Sequence, residues 1–258
     1  MRGWAAVALA GSLFAGCTAE TARTPELCDA PSTLATLPAE LSETSGIAGS
    51  RQYPGVLWTH NDSGGEPVVY ALDEGGRILG RVRVAGARNR DWEDIALGPC
   101  PDGTCLYIAD TGDNRLRRDD AAIYRIPEPA PDDSVSRPAE RFALRFPDGP
   151  RDVEAVYVLP DTTLYLVGKG RNHPIALYRA TPPFGDTVEL DEIQRFGTGA
   201  APLAEQVTGA AVTPDGRWVA IRTYTSLRFY HPDHAGRLTR AIDGAVVDSC
   251  TMFILKLK

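Results

Sequence analysis

Four pairs of residues, each pair two positions apart, carry the groups best able to do chemistry: Glu43 with Ser45, Asp91 with Glu93, Asp152 with Glu154, and Gln206 with Thr208. Residues two apart on a strand point the same way. If all four strands turn these faces to one axis, five carboxylates converge there. Close anions repel unless they share protons or bind a cation. An all-oxygen donor set suits a hard ion, with Ca2+ the natural candidate. The competing expectation is that Asp91 and Asp152 pair with the adjacent Arg88, Arg90 and Arg151.

A second set of polar residues recurs just downstream of these pairs. Asn61-Asp62-Ser63-Gly64 and Asp110-Thr111-Gly112-Asp113-Asn114 occupy corresponding places, and the matching stretches later in the chain, Lys169-Gly170-Arg171-Asn172 and Arg222-Thr223-Tyr224, are basic. A rim that is acidic on one side and basic on the other suits a metal bound together with an anionic group. The candidate metal ligands are therefore Glu43, Glu93, Glu154, Asp62, Asp110 and Asp113. A hydrolytic reading adds Asp110 or His60 to activate water and Lys169, Arg171 or Arg222 to steady an ester, lactone or phosphate. Asp-Thr-Gly by itself is turn chemistry, since an aspartic protease needs a second, matched lobe that is absent here. Of the other histidines, His173, His231 and His234, the last two fall in a Pro-Asp loop and read as surface residues. Neither a Gly-x-Ser-x-Gly elbow nor a P-loop occurs.

The elements that must position these groups are strands, and they repeat. Thr44-Ser45-Gly46-Ile47-Ala48, Trp92-Glu93-Asp94-Ile95-Ala96, Val153-Glu154-Ala155-Val156-Tyr157 and Val207-Thr208-Gly209-Ala210-Ala211 begin alike, with steps from Gly46 to Asp94 to Ala155 to Gly209 of 48, 61 and 54 residues. Each is followed by a turn and a second strand with an early aromatic, at Trp58, Tyr107, Tyr165 and Trp218. A third strand brings Tyr70, Tyr124, Tyr178 or Tyr230, and a more variable fourth closes most units. No segment after the amino-terminal run sustains a helical apolar period. Four short strands every fifty residues or so is the pattern of an all-β propeller with four recognisable blades, and the recurrent aromatics read as packing between blades.

The series S-G-I-A, W-T-H-N-D-S-G, D-W-E-D-I-A, L-Y-I-A-D-T-G-D-N, V-E-A-V, V-T-G-A and T-P-D-G-R, running from about Leu41 to about Tyr230, resembles a group of uncharacterised bacterial secreted proteins and lipoproteins with propeller folds. More distantly the chain is similar to NHL-type, gluconolactonase-type and phytase-like propellers, some of which hold divalent metals in the central channel. Members of the group carry a further repeat opening Gly-Glu-Ala. The resemblance therefore implies five or six blades in intact relatives and a chain here that is short by at least one. Ser249 to Lys256 reads as an apolar strand that either closes the ring or leaves an edge.

The 258 residues carry 27 Lys+Arg against 34 Asp+Glu, a net charge of -7, and 43% are hydrophobic. That balance argues against nucleic-acid binding and against anionic membrane surfaces. Residues 1 to 16 read as an export signal: Arg2, an apolar run, then Ala15-Gly16-Cys17, which is similar to a bacterial lipobox with Cys17 as the lipidated residue. Residues 17 to 40 read as a tether and 41 to 258 as the propeller. The expected place of work is the cell envelope, with any membrane contact made through the lipid alone, or the medium if the lipid is absent. There the propeller is expected to bind or scaffold a small molecule or protein at its end face. In that oxidising setting Cys100-Pro-Asp-Gly-Thr-Cys105 reads as a hairpin closed by a disulfide. Pairing of Cys28 with Cys250 is open.

Overall fold

A computed structural model describes residue 33 and residues 35–241. Residues 1 to 16, expected to be an export signal, and Cys17, Cys28 and the carboxy-terminal stretch with Cys250 lie outside the described residues.

The runs rich in Val, Ile, Tyr and Thr form strands, and the Gly, Pro and Asp clusters between them form the turns. Blade 1 comprises β1 (Thr44–Gly49), β2 (Leu57–Asn61), β3 (Val68–Leu72) and β4 (Ile78–Arg83). Blade 2 comprises β5 (Trp92–Cys100), β6 (Gly103–Asp110), β7 (Ala122–Pro127) and β8 (Glu140–Arg145). Blade 3 has β9 (Val153–Val158), β10 (Leu164–Gly168) and β11 (Ile175–Ala180), then β12 (Thr187–Glu189) and β13 (Asp191–Phe196). Blade 4 has β14 (Val207–Val212), β15 (Val219–Thr223), β16 (Leu227–Pro232) and β17 (Leu238–Arg240). The four blades are antiparallel meanders arranged as a propeller, with the recurring segments as inner strands. One strand departs from the repeat. β12 leaves blade 3 and pairs parallel with β8, adding a fifth strand to blade 2. The Cys100–Cys105 disulfide closes the β5–β6 hairpin, with the two Cα atoms 5.8 Å apart.

Blades 2 and 3 bury both faces against their neighbours, and blades 1 and 4 one face each. Trp58, Trp92, Tyr124 and their neighbours fill the seam between blades 1 and 2. Tyr107, Phe142, Val156 and Tyr178 fill the next, and Tyr157, Tyr165, Val219 and Tyr230 the third. A backbone hydrogen bond staples each of these seams near the channel: Trp92 N–H to the Asp62 carbonyl, Val153 N–H to Thr111, and Val207 N–H to Lys169. The repeat of aromatics is two residues out in blade 4. Register places Ala220, not Trp218, opposite the inner strand where Trp58, Tyr107 and Tyr165 stand. Trp218 lies in the turn before β15 and packs on His231.

Candidate metal centre

Every inner strand meets its neighbour with one residue too many near its start. The register slips between Ser45 and Ile47, between Trp92 and Asp94, at Gly168 opposite Val153, and between Val207 and Gly209. Such bulges re-aim side chains. Here they bring the acidic pairs together: ligand oxygens of Asp62, Asp91 and Glu93 lie within 4.8 Å of one another, and so do those of Glu93, Asp152 and Glu154. Glu93 belongs to both groups. It and Glu154 are essentially inaccessible, and Asp62 and Asp152 are nearly so. The chain approaches this cluster with bare backbone, because a Cβ on Gly112 would run into the carboxylates of Asp91 and Glu93.

Burial, then the nearby Asp62 carboxylate, pushes the Asp91 pKa up to about 6. Burial and then Glu154 push Asp152 upward against the opposing pull of the Asp113 N–H and Lys169. Two buried cations offset part of the charge. Arg118 donates to Asp110 Oδ1 at 2.9 Å, to Asp120 Oδ1 at 3.1 Å and to the Gly112 carbonyl at 2.8 Å. Lys169 pairs with Glu154 and stands 3.9 Å from Asp152 Oδ2. The adjacent arginines do not take this role: Arg90 pairs with Asp120 and Arg151 with Asp148, while the Arg88 backbone bonds Tyr124 and Trp92. Asp152 Oδ1 accepts the Asp113 N–H at 2.9 Å, and its buried Oδ2 accepts no hydrogen bond among the described residues. A buried carboxylate oxygen without a donor is costly. A cation at the cluster would satisfy it, so the residues fit a divalent ion.

One carboxylate in the channel went unread in the sequence. Asp94 accepts the Ile95 N–H at 2.9 Å through Oδ1, and through Oδ2 the Val156 N–H at 2.8 Å and the Ala210 N–H at 3.3 Å. It thus joins the inner strands of blades 2, 3 and 4. Blade 1 meets it with Gly46, at φ +62°, where a Cβ would lie 2.7 Å from Asp94 Oδ1. The signal was in the repeat, since Asp94 stands where the other three units have Gly46, Ala155 and Gly209. Beyond this level the channel opens into a cavity of about 370 Å³, bounded by the far halves of β1, β5 and β14 with Tyr157 of β9.

The remaining candidates divide. Glu43 is exposed and takes part through its backbone, accepting the Asp62 N–H. Asp110 accepts the Asp91 N–H at 3.0 Å as well as Arg118. Asp113 accepts the N–H groups of Arg117 and Arg118, at 3.0 and 2.8 Å, and shapes its loop. His60 packs edge-on against Trp92, with centroids 5.6 Å apart. Arg171 reaches across to Asn114. Arg222 bonds Thr208 Oγ1 at 3.0 Å. His173 stands beside Arg151, and His231 and His234 are exposed.

No family model matches the chain, and no curated protein matches it. Among solved structures it is similar to an auxiliary nutrient binding protein from Bacteroides thetaiotaomicron, at 12% identity and a TM-score of 0.48, covering 79% of this chain and 43% of that one. It is similar to virginiamycin B lyase from Staphylococcus aureus, at 16% identity and a TM-score of 0.46, covering 80% and 57%. It is also similar to the calcium-binding protein regucalcin from Agrobacterium tumefaciens, at 18% identity and a TM-score of 0.41, covering 73% and 56%. The chain spans about half the length of these structures.

Proposed function

We propose that this chain is an exported β-propeller binding or scaffold module that holds a divalent cation, with Ca2+ the fitting ion, at the mouth of its channel. The observation that carries the reading is Glu93, shared between two carboxylate groups in which only Asp91 is less than fully buried, with Asp152 Oδ2 beside it lacking a hydrogen-bond donor among the described residues. Asp62, Asp91, Glu93, Asp152 and Glu154 would hold the ion, which would supply positive charge to an incoming ligand. Export is supported by the amino-terminal leader pattern and by the Cys100–Cys105 disulfide, a bond that persists in oxidising compartments. An anchor at Cys17 is tested by mass spectrometry of the mature amino terminus, where an unmodified Cys17 rules it out. The partner is a small molecule or protein met at the propeller's end face. The hydrolytic reading asks for a base ready to take a proton from water. Asp110 is already engaged by Arg118 and the Asp91 N–H, so binding is the stronger reading.

The test is thermal unfolding with Ca2+ and with EDTA. An ion at a hundredfold excess over its Kd adds about 2.7 kcal/mol, or roughly 5–10 °C for a domain of this size. Glu93→Gln should lose that rise. An unchanged melting temperature across Ca2+ and EDTA in the unaltered chain sinks the proposal.

A further inference from the structure

Arg118, Lys169 and Arg222 stand on the strands and loops that form the channel mouth, and they are not alike. Arg118 and Lys169 are fully engaged by Asp110, Asp120, Glu154 and Asp152. Arg222 is not. Among the described residues its side chain makes one hydrogen bond, to a neutral hydroxyl, Thr208 Oγ1 at 3.0 Å, and no ion pair with a carboxylate. Burial holds its pKa below the usual value, with only Tyr224 working the other way. A half-buried guanidinium with most of its five donors unused and no counter-charge is a group in want of an anion.

Its place in the repeat adds direction. Thr208 holds the position that Glu93 and Glu154 hold in blades 2 and 3, and Gln206 holds that of Asp91 and Asp152. Blade 4 therefore brings an arginine to the mouth, with neutral partners, where its neighbours bring pairs of carboxylates. We infer that this fourth quadrant, Arg222 with Thr208, receives an oxyanion, a phosphate or a carboxylate, that binds together with the cation held by the acidic pairs. The inference rests on the cation reading above. A planar guanidinium takes both oxygens of such a group side by side. The surrounding carboxylates repel an anion arriving alone, so cation and anion must each raise the other's affinity by the same factor.

Isothermal titration with methylphosphonate and, separately, with acetate tests this, each with and without Ca2+. At least one probe should bind in Ca2+ and not in EDTA, and which probe binds separates phosphate from carboxylate. Arg222→Gln should weaken that binding about tenfold or more without weakening Ca2+ binding, which also reports that the variant is folded. Equal anion affinity in the variant, or equal affinity in EDTA, overturns the inference. Ca2+ binding by the unaltered chain with neither probe bound overturns this inference alone, whereas failure to bind Ca2+ overturns the cation reading and this one with it.

Discussion

Glu93 and Lys169 set the character of the mouth at the scale of single residues. Glu93 links the two carboxylate groups, so losing its charge weakens both. Lys169 acts as a built-in cation for Glu154 and offsets part of the cluster's charge. On the other side Asp91 titrates near pH 6, through burial and the Asp62 carboxylate. A carboxyl with a raised pKa is protonated more readily in the folded chain than in the unfolded one. The cost of its charge is present above about pH 6 and is relieved as pH falls toward the ordinary aspartate range. Calcium competes for the same oxygens, so its effect must shrink on the acid side. The Ca2+-induced rise in melting temperature should be clearly larger at about pH 7.5 than at about pH 5. Equal rises at both would mean that the ion binds without displacing the Asp91 proton, away from this cluster.

The inner strands decide what single residues can reach. Their bulges turn Glu93 and Glu154 toward each other, and Asp94 then ties three of the four strands through backbone N–H groups. Truncating Asp94 to Ala leaves those donors buried without a carboxylate. It should cost about 3 kcal/mol or more in denaturant unfolding, with Asn in between because its amide keeps one accepting oxygen. A loss in Asp94→Ala below about 1 kcal/mol would show that the channel N–H groups find other partners. The sequence exposed the strands and the acidic pairs, because period-two alternation and a repeat of about fifty residues are both local signals. It hid the partners. Arg118 reaches Asp110 only because residues 113–118 fold back, and Lys169 meets Glu154 only once β9 and β10 pair. Proximity in sequence favoured Arg88, Arg90 and Arg151, yet Arg90 pairs with Asp120 and Arg151 with Asp148. Trp218 misled in the same way, since the length of the β14–β15 turn, which no residue type announces, puts Ala220 in the aromatic's place.

The four blades are not equivalent in the whole molecule. Blades 2 and 3 are each packed on both faces, through the seams filled by Trp58 and Trp92, Tyr107 and Tyr178, and Tyr165 and Tyr230. Among the described residues no apolar cluster joins blade 4 to blade 1, and no bond from blade 1 reaches the Tyr224 carbonyl, the counterpart of the three stapling carbonyls. Blade 1 covers its outer face with its own cluster, to which Leu37 and Leu41 add. Blade 4 leaves Leu227 and Tyr224 about two-fifths exposed. In a repeat protein, stability is close to a sum of nearest-neighbour seams, so a blade held by one seam opens alone. A seam of several buried aromatic and aliphatic side chains is worth about 3 kcal/mol or more, which corresponds to roughly a hundredfold in the population of the open form. Native-state hydrogen exchange should find the amides of β15 and β16 exchanging at least that much faster than those of β6 and β10. Equal protection in all four blades would mean that blade 4 is held as firmly as blade 2, and that the face without an apolar seam among the described residues is covered in solution.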